Sequence, residues 1–429
     1  MRRLKLEAGL AGARALDADD ALAGLRRRFA LPRAGRRPLA YLCGHSLGAM
    51  PKDAPRAVAA EMKRWAELGV DGHFADDTHR GWIDYHEQLA KPLASLCGAR
   101  PGEIVAMNTL TVNLHLMLAS FYRPRRERYK ILLERGAFPS DRYAVESQVA
   151  YHGFDAADAL VELPQIPGSR LLDFDAYERL LAAEGERIAL VLLPGVQYLT
   201  GERLDVAKLT AAAHAAGCRV GFDLAHAIGN VPLALHDAGP DFAVWCSYKY
   251  LNAGPGAVGG CFVHERWAEA PDLPRFAGWW GHDRAHRFLM RDGFVPMRGA
   301  EGWQLSNPPI FSLAPLTVSL ELFRTAGKAR LERKSERLTA YLEHCLDSRL
   351  GERCEILTPR DPARRGAMLA LRLAPPPAAP RRFLQALRAA GVVGDWREPD
   401  VLRLAPVPLY NTFTDVFRAV AALERALAA

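Results

Sequence analysis

Short apolar runs alternate with amphipathic stretches through the middle of this 429-residue chain. A stretch that begins with an acidic turn, keeps Val206, Leu209 and Ala213 on one face and ends at Gly217 predicts a helix over residues 205–217. The apolar runs, bounded by polar or glycine-containing segments, are typical of buried strands; they cover residues 129–134, 188–198, 218–226, 241–250 and 259–265. Strands that alternate with helices predict a mostly parallel sheet with both faces covered.

The pattern changes after about residue 320. Residues 325–350 form a charged amphipathic stretch typical of a helix, and a short apolar run at residues 368–373 is followed by a proline-rich linker. We therefore expect a second, smaller α/β domain. The predicted division gives a large domain at residues 46–319 and a small domain built from residues 1–45 and 320–429.

Composition and charge limit the kinds of binding partner and the cellular compartment that we expect. The net charge of +7 comes partly from arginine runs at residues 25–37 and 122–130, which are typical of solvated faces and accompany no nucleic-acid-binding module. The seven cysteines form no C-x-x-C pair, which favours a reducing compartment and a cytoplasmic protein. The first twenty residues become acidic before any apolar segment, and no window has the length of a membrane span, so we expect neither a signal peptide nor a membrane partner.

Two residues at predicted strand ends suggest chemistry, because open parallel sheets bind ligands beyond the carboxyl ends of their strands. Asp223 ends the run "VGFD", and Lys249 stands between two tyrosines at the end of the next run. A buried carboxylate needs a partner, and a lysine amine in such surroundings is a potential nucleophile. Pyridoxal phosphate needs both a lysine and an acid beside its ring nitrogen. The alternatives are a helix-capping Asp223 and a surface Lys249.

Two further segments favour the same cofactor. Residues 107–121 pass from a polar turn with Thr109 and Thr111 into an apolar helix, and a helix N-terminus with hydroxyl groups suits a phosphate. In "AFPSD", residues 137–141, Phe138 is placed to lie against a flat ring, with Ser140 and Asp141 as polar contacts. Threonine capping and a core phenylalanine are the alternatives for each segment alone. Along the chain the four parts follow one another as a helix start for a phosphate, a phenylalanine for a flat ring, an aspartate for the ring nitrogen and a lysine. Together, in this order, they predict a pyridoxal phosphate site.

Longer motifs carry a resemblance to a known family. Residues 222–256, "GWWGH" at 278–282, "LSNPPIF" at 305–311 and "RLAPVPLYN" at 403–411 resemble kynureninases. The resemblance implies an α/β fold of the type I class of pyridoxal phosphate enzymes, like aspartate aminotransferase. Such a protein has a large domain with a mostly parallel seven-stranded sheet between helices, a smaller α/β domain, and a homodimer with shared active sites.

The activity that the resemblance implies is hydrolysis of the Cβ–Cγ bond of L-kynurenine or 3-hydroxy-L-kynurenine. The products are L-alanine and anthranilate or 3-hydroxyanthranilate, formed in tryptophan catabolism or in the synthesis of NAD precursors. By the same resemblance Lys249 forms the Schiff base with pyridoxal phosphate, Asp223 faces the pyridine nitrogen, Phe138 stacks on the ring and Tyr248 donates a proton. The other implied cofactor contacts are Leu110, Thr111, Ser140, Asp141, His226, Trp279 and Asn307, with Trp279 and Asn307 supplied by the neighbouring subunit.

The substrate contacts are also implied by the resemblance. Arg403 matches the arginine that binds the α-carboxylate, a role suited to a planar fork of donors. Ser46, His73 and Asn307 match positions near the aryl ring. The pairing of His73 with Asn307 favours 3-hydroxykynurenine, because a site that hydrogen-bonds a hydroxyl penalises the analogue without it.

One departure from the family supplies a rival hypothesis. The family usually reads G-N-S-L-G near its start, whereas residues 44–48 of this chain read "GHSLG", with His45 in place of asparagine. The sequence fits G-x-S-x-G, the nucleophile elbow of serine hydrolases, with Ser46 as nucleophile. Too few residues precede it for the strands of that fold, and Pro51 interrupts the helix that should follow.

Two related classes of cofactor enzyme share part of this pattern. An aminotransferase or a cysteine desulfurase would also have the lysine and the aspartate, but no cysteine lies in an evident polar, basic loop of the kind a desulfurase needs. A zinc enzyme is a more distant hypothesis. His282 and His286 are spaced for one helical face without the glutamate of H-E-x-x-H, so we expect no metal site.

Overall fold

The structure is a computed structural model that describes residues 7–76, 80–270 and 272–428. The α-helices of these residues, α1 to α13 in chain order, are Leu10–Ala18, Ala54–Leu68, Glu87–Cys97, Leu110–Phe121, Pro139–Tyr151, Ala156–Ala159, Phe174–Glu184, Val206–Ala215, Leu235–Ala238, Ile310–Ala326, Lys328–Arg349, Pro380–Ala389 and Phe413–Ala428. Short 3₁₀ helices lie at Ala23–Arg28, Gly69–His73, Trp82–Asp84, Pro101–Glu103, Glu265–Trp267, Trp279–Gly281, Arg287–Leu289, Gly299–Trp303, Gly351–Arg353 and Pro362–Arg364.

A seven-stranded sheet organises the larger part of the molecule. Its strands, β1 to β7, are Ile104–Ala106, Lys130–Glu134, Leu160–Leu163, Ile188–Pro194, Arg219–Asp223, Phe242–Cys246 and Gly259–Val263. Their spatial order is β1-β7-β6-β5-β4-β2-β3, and β7 pairs antiparallel with both its neighbours while the other pairs are parallel. The mostly parallel seven-stranded sheet is therefore confirmed.

The crossover helix predicted between β4 and β5 forms as α8. The side chain of Asp205 accepts a hydrogen bond from the backbone N–H of Lys208 at 3.1 Å, which caps the first turn. The chain then turns at Gly217 with a φ of 75°, a conformation that glycine adopts without strain. This helix buries Leu209 and Ala213.

The predicted strand at residues 241–250 is shorter in the structure, since β6 ends at Cys246. Beyond it the backbone N–H of Ala253 donates to the carbonyl of Ser247 at 3.0 Å, and Asn252 has a φ of 53°. This hydrogen bond and the positive φ of Asn252 fold residues 247–253 into a turn. Lys249 therefore lies in a turn beyond the sheet edge rather than at the end of a strand.

A second sheet lies in the C-terminal part of the chain. Its strands β8 to β11 are Cys354–Ile356, Leu369–Leu373, Asp395–Arg397 and Val401–Leu404, in the order β8-β9-β11-β10. Two-residue strand pairs also join 29–30 with 50–51, 33–34 with 37–38, and 40–41 with 392–393. The last pair ties the N-terminal segment to the C-terminal region.

The buried apolar residues support this organisation. One cluster combines N-terminal residues such as Ala13 and Leu42 with C-terminal residues such as Leu342 and Leu404. The predicted division into domains stays a prediction. Its boundary at residue 319 falls inside α10, whose buried side chains pack with the cluster around the seven-stranded sheet.

Candidate active site

A cavity of about 130 Å³ opens at the carboxyl edge of the seven-stranded sheet. The residues that line it come from the ends of β2, β4 and β5, the starts of α4 and α5, and the turn after β6: Leu110, Thr111, Glu134, Phe138, Ser140, Asp141, Pro194, Val196, Tyr198, Asp223, Ala225, His226, Tyr248 and Lys249. A larger cavity of about 630 Å³, beside Leu204 and Leu233, contains none of the residues predicted from the sequence. We call the smaller one the sheet-end cavity.

One end of the sheet-end cavity suits an anion. Helix α4 begins at Leu110, and Thr109 before it makes no side-chain cap bond, so the first N–H groups of the helix have no partner within the helix. The hydroxyl oxygens of Thr111 and Ser140 lie 2.9 Å apart beside this helix start. Backbone N–H groups and two hydroxyl groups form a set of donors that fits a phosphate.

A flat aromatic side chain covers the middle of the cavity. The Phe138 ring centroid lies 5.7 Å from the Lys249 Nζ. On another side the Phe138 ring meets Tyr198 edge-on, with centroids 5.2 Å apart and an interplanar angle of 76°. Phe138 directly precedes α5, where Pro139 begins the helix, so the backbone fixes the position of the ring. Sequence reasoning missed Tyr198, which lies beyond the end of β4.

Three carboxyl groups line the same cavity. Asp223 is 8% exposed and its Oδ1 accepts a hydrogen bond of 2.6 Å from the backbone N–H of Ala225. Burial, together with the charge of Asp223 and a hydrogen bond to it, raises the pKa of Asp141 well above its usual range. The two carboxyl groups therefore lie close together in a buried site, and the Asp141 Oδ1 has no hydrogen-bond partner.

Glu134 is the third carboxyl group, and sequence reasoning missed it. It is the last residue of β2 and is buried. Burial raises the pKa of Glu134 to about 8, and the nearby charge of Asp223 adds to this effect. At neutral pH the Glu134 carboxyl group therefore keeps its proton in most molecules.

The turn after β6 supplies two further groups. Burial raises the pKa of Tyr248, so its phenol keeps its proton at physiological pH. Burial and the charge of Lys249 lower the pKa of His226 well below its usual range, and its Nδ1 has no partner. The turn is held against the loop of residues 44–48: the Gly48 N–H donates to the Tyr248 carbonyl at 2.8 Å. A Cβ at Gly48 would lie 2.3 Å from the Lys249 carbonyl oxygen, so only glycine fits there.

Arg403 lies beside this turn region rather than among the residues that line the cavity. It is 1% exposed, and its guanidinium donates to the Tyr198 carbonyl at 2.6 Å and, through Nε, to Asp395 Oδ1 at 2.8 Å. Asp395 on β10 pairs directly with Arg403 on β11. Burial raises the pKa of Asp395, but the hydrogen bonds from His45 and Arg403 and the charge of Arg403 outweigh burial and hold that pKa below its usual range.

The remaining predicted residues do not line the sheet-end cavity. Trp279 is 46% exposed and donates its indole N–H to the Arg287 carbonyl at 2.9 Å. His73 donates to the Val70 carbonyl at 3.0 Å and lies edge-on to Trp82. Asn307 is exposed and Ser46 is half-buried. In a single chain these four side chains stay apart from the nine predicted residues that the cavity brings together.

Exposed apolar side chains lie near His73 and Asn307 in the sequence. Trp65 at the end of α2 is 60% exposed, and its ring lies 6.1 Å from that of Phe311 at the start of α10. We call the exposed pair Trp65 and Phe311 the aromatic surface. Patches of this kind mark sites of association more often than solvated faces.

The structure also bears on the rival hypotheses. In the described residues no hydrogen bond joins Ser46 to a histidine, and the next helix begins only at Ala54, so the strand–turn–helix of a nucleophile elbow does not form. His282 accepts a hydrogen bond from the Val295 N–H, and His286 pairs with Asp283 at 2.6 Å. One group with metal-ligand spacing, Cys43 with His45 and Asp395, has both carboxylate oxygens already bonded.

Comparisons with known proteins agree with this geometry. The family model described as "Kynureninase C-terminal domain" matches residues 331–423. A protein named kynureninase from Xanthomonas oryzae pv. oryzae (strain PXO99A) is 55% identical over 96% of this chain and 97% of its own length. One of the same name from Myxococcus xanthus (strain DK1622) is 55% identical over 96% of both chains.

Solved structures share the fold at lower identity. The cysteine desulfurase CsdA from Escherichia coli has a TM-score of 0.75 and 19% identity, covering 95% of this chain and 98% of that one. The cystine C-S lyase C-DES has a TM-score of 0.75 and 19% identity, covering 91% and 98%. The predicted fold class is confirmed. Among the described helices, none combines the length and hydropathy needed to cross a bilayer.

Proposed function

This chain belongs to the kynureninase family, and we therefore propose that its sheet-end cavity holds pyridoxal phosphate on Lys249 for the hydrolytic cleavage of a kynurenine. The reaction breaks the Cβ–Cγ bond of L-kynurenine or 3-hydroxy-L-kynurenine and releases L-alanine with anthranilate or 3-hydroxyanthranilate. The observation that carries the proposal is one cavity lined by a lysine, a buried aspartate, a flat phenyl ring and a helix start with two hydroxyl groups.

These residues fit the cofactor. The donors at the start of α4, with Thr111 and Ser140, match a phosphate, and Phe138 offers a ring face. Two buried atoms without partners, Asp141 Oδ1 and His226 Nδ1, lie in side chains that line the same cavity. Bound pyridoxal phosphate supplies an electron sink for the bonds at the substrate's Cα and Cβ. Leu110 completes the proposed contacts.

Asp223 and Lys249 have the central roles in the proposal. The Asp223 carboxylate, fixed by the Ala225 N–H, stabilises a proton on the cofactor's ring nitrogen. Glu134 keeps its proton at neutral pH, so it would not compete with Asp223 for positive charge on the ring nitrogen. Lys249 would hold the cofactor and would take the proton from the substrate's Cα.

Tyr248 is the proposed proton donor to Cβ after the carbon–carbon bond breaks. Its phenol remains protonated because burial raises its pKa, and it lies next to Lys249 in the same turn. A donor that keeps its proton until negative charge develops at Cβ suits this step. The backbone bond from Gly48 to the Tyr248 carbonyl fixes the turn that carries both groups.

Arg403 is the proposed partner of the substrate's α-carboxylate. The guanidinium is buried, and the Tyr198 carbonyl and Asp395 fix its orientation. A pre-oriented fork of donors binds a carboxylate with little further loss of side-chain entropy. Ser46, His73 and Asn307 are the proposed contacts of the aryl ring, and His73 with Asn307 is the basis for proposing a preference for 3-hydroxykynurenine.

A homodimer is part of the proposal. Trp279 and Asn307 do not line the cavity of their own chain, and the aromatic surface exposes Trp65 and Phe311 together. A second copy that covers this surface would bury it and bring Trp279 and Asn307 to the neighbouring cavity. We further propose a cytoplasmic enzyme of tryptophan catabolism or NAD precursor synthesis, in which residues 46–319 form the large domain.

The proposal is tested by an absorption spectrum of the protein and by activity assays with the two kynurenines. We expect the purified protein with pyridoxal phosphate to absorb near the visible, and to release L-alanine from both kynurenines, faster from the hydroxylated one. The Lys249→Ala variant should lose alanine release by about 10³-fold or more. Lys91→Ala, an exposed lysine on α3, is the matched control and should leave the rate unchanged.

Each outcome separates parts of the proposal. An active enzyme that prefers unsubstituted kynurenine would remove the role given to His73 and Asn307 and keep the reaction. A protein that binds the cofactor but releases no alanine from either substrate would refute the reaction. Equal activity of Lys249→Ala and Lys91→Ala would refute the role of Lys249.

A further inference from the structure

We propose that His45 positions Arg403 for the substrate's α-carboxylate: the His45 Nε2–H donates to Asp395, and the carboxylate held in this way orients the guanidinium. His45 is thus a positioning residue that acts through another side chain. The inference rests on the proposed function, since that function assigns Arg403 to the substrate.

The geometry joins the three side chains in a line. His45 is fully buried and its Nε2 lies 3.0 Å from Asp395 Oδ1. The same oxygen accepts the Nε–H of Arg403 at 2.8 Å, and Asp395 Oδ2 accepts from the Arg403 Nη2. An ionised carboxylate only accepts hydrogen bonds, so the proton in the contact with His45 belongs to Nε2. The direction of the hydrogen bonds along the line is therefore fixed.

Asp395 needs the hydrogen bond from His45, in addition to those from Arg403, to keep its orientation. It lies on β10, the edge strand of the C-terminal sheet, and a second cation, Arg397, approaches its Oδ2 at 3.4 Å. A carboxylate on an edge strand between two guanidinium groups can turn toward either. The hydrogen bond from His45 comes from outside the sheet and holds the carboxylate in the arrangement that pairs with both Nε and Nη2 of Arg403.

The loop that carries His45 is itself held firmly. A Cβ at Gly44 would lie 2.1 Å from the Tyr410 hydroxyl oxygen, and the Ser46 N–H donates to the Cys43 carbonyl at 3.0 Å. Two residues further on, Gly48 bonds to the turn that carries Lys249. One short loop therefore contacts both the turn of the reactive lysine and the pair that orients the arginine.

The surroundings keep His45 uncharged. Burial, Arg403 and Lys249 lower the pKa of His45, and although Asp395 opposes them, the pKa falls to about 4. The facing groups are Asp395 and Arg403 from the C-terminal sheet, Lys249 from the turn and the ring of His226, 6.3 Å away. A neutral imidazole donates to Asp395 without competing with Arg403 for a negative charge.

The length of the side chain makes the proposal testable. An asparagine, which the family usually has here, ends its amide near the Nδ1 position of an imidazole, whereas a glutamine extends to the Nε2 position. His45→Asn should therefore lose the contact with Asp395 and keep the fold, while His45→Gln should restore a neutral donor at the right reach. His344→Gln on α11 is a matched control outside the site.

The measurements are KM and kcat for kynurenine, and the affinity of the enzyme with bound pyridoxal phosphate for L-alanine and for ethylamine, which lacks the carboxylate. We expect His45→Asn to raise KM and to weaken L-alanine binding about tenfold, with kcat and ethylamine binding within about threefold. His45→Gln and His344→Gln should stay within about threefold of the unmodified protein on every measure.

Several results would overturn the proposal. Equal KM values for His45→Asn and His45→Gln would show that reach to Asp395 does not matter, and an equal loss of ethylamine binding would show that the carboxylate is not involved. Nitrogen chemical shifts of labelled histidine, assigned with His45→Gln, give a test that needs no activity. We expect a proton on Nε2 and none on Nδ1 between pH 6 and 8, and the opposite tautomer would refute the proposed donor.

Failure of the proposed function can be distinguished from failure of the role given to His45. If the unmodified enzyme releases no alanine from either kynurenine, the reaction is wrong, and the tautomer and the L-alanine affinity still decide the role of His45. If the unmodified enzyme is active and His45→Asn matches it in KM, only the role of His45 fails.

Discussion

The sheet-end cavity and the aromatic surface differ in how much of their environment one chain supplies. At the cavity, nine predicted residues from distant parts of the sequence meet, and Asp223 accepts a hydrogen bond from the Ala225 N–H of the same chain. At the aromatic surface, Trp65 and Phe311 touch each other and remain exposed. One chain thus supplies nine of the proposed cofactor contacts, whereas Trp279, Asn307 and the aryl-ring side of the proposed site depend on what covers the aromatic surface.

The difference separates two kinds of function within one enzyme. The residues proposed to hold the cofactor lie at strand ends, at helix starts and in the turn after β6, where backbone hydrogen bonds fix the chain. The residues assigned to the aryl ring lie on short helices and loops outside the sheet, such as His73 in Gly69–His73. Changes at the cavity should therefore affect chemistry, and changes at the surface should affect assembly first.

Among the variants compared below, the largest expected effect concerns Asp223, which is compared with a second buried carboxyl group of the cavity. Asp223→Asn removes the carboxylate proposed to face the ring nitrogen, and we expect kcat to fall by about 10²-fold or more. Asp141→Asn changes a neighbouring buried carboxyl group whose pKa is raised, and we expect kcat to stay within about fivefold. Alanine release and the visible absorbance of the cofactor measure both. Equal losses for the two variants would contradict the distinct role given to Asp223.

An intermediate effect tests the surface. Trp65→Glu places a charge in the aromatic surface, and we expect it to shift the protein from dimer to monomer in sedimentation and to lower activity about tenfold at micromolar enzyme. The cofactor absorbance should remain, because Lys249 and eight other proposed cofactor contacts line the cavity of a single chain. Tyr151→Glu, at another exposed aromatic residue at the end of α5, should leave assembly and activity unchanged. A Trp65→Glu protein that sediments as a dimer would refute the proposed interface.

The smallest effect concerns the protonation of the cavity interior. The pKa of Glu134 is raised to about 8 in the folded protein, so the folded state keeps a proton that the unfolded chain releases at lower pH. Stability should therefore fall as pH rises from about 5 to 8. Glu134→Gln lacks this titration, and we expect its Tm at pH 9 to exceed that of the unmodified protein by about 3 °C. Calorimetry at pH 6 and pH 9 measures the difference, which should be small at pH 6; an equal gap at both values would contradict the raised pKa.

Sequence patterns predicted the parts of the fold that depend on local periodicity. The apolar runs of β2, β4, β5, β6 and β7 and the capped helix α8 follow from residue types alone, and so does the convergence of Asp223 and Lys249 at one sheet edge. The true end of β6 could not be predicted, because backbone bonds across Ser247 and Ala253 decide where the strand stops.

Contacts between segments that are distant in the chain also could not be predicted from sequence patterns. Glu134 reads as an ordinary strand end, and only burial and the crowding of carboxyl groups around Asp223 raise its pKa. Asp395 reads as one acid among several in "GDWREPD". Its role depends on strand register, which places it opposite Arg403, and a one-residue slip would have turned it to the other face. Periodicity carries no information on register between strands that pair across a bend of the chain.

The hydrogen bond between His45 and Asp395 joins positions 350 residues apart. During synthesis the histidine leaves the ribosome early, and its partner emerges only near the end. All strands of the seven-stranded sheet and the lysine turn precede residue 264, so they leave the ribosome before Asp395 and Arg403 are made. A growing chain therefore presents the residues proposed for the cofactor before the residues proposed for the substrate's carboxylate.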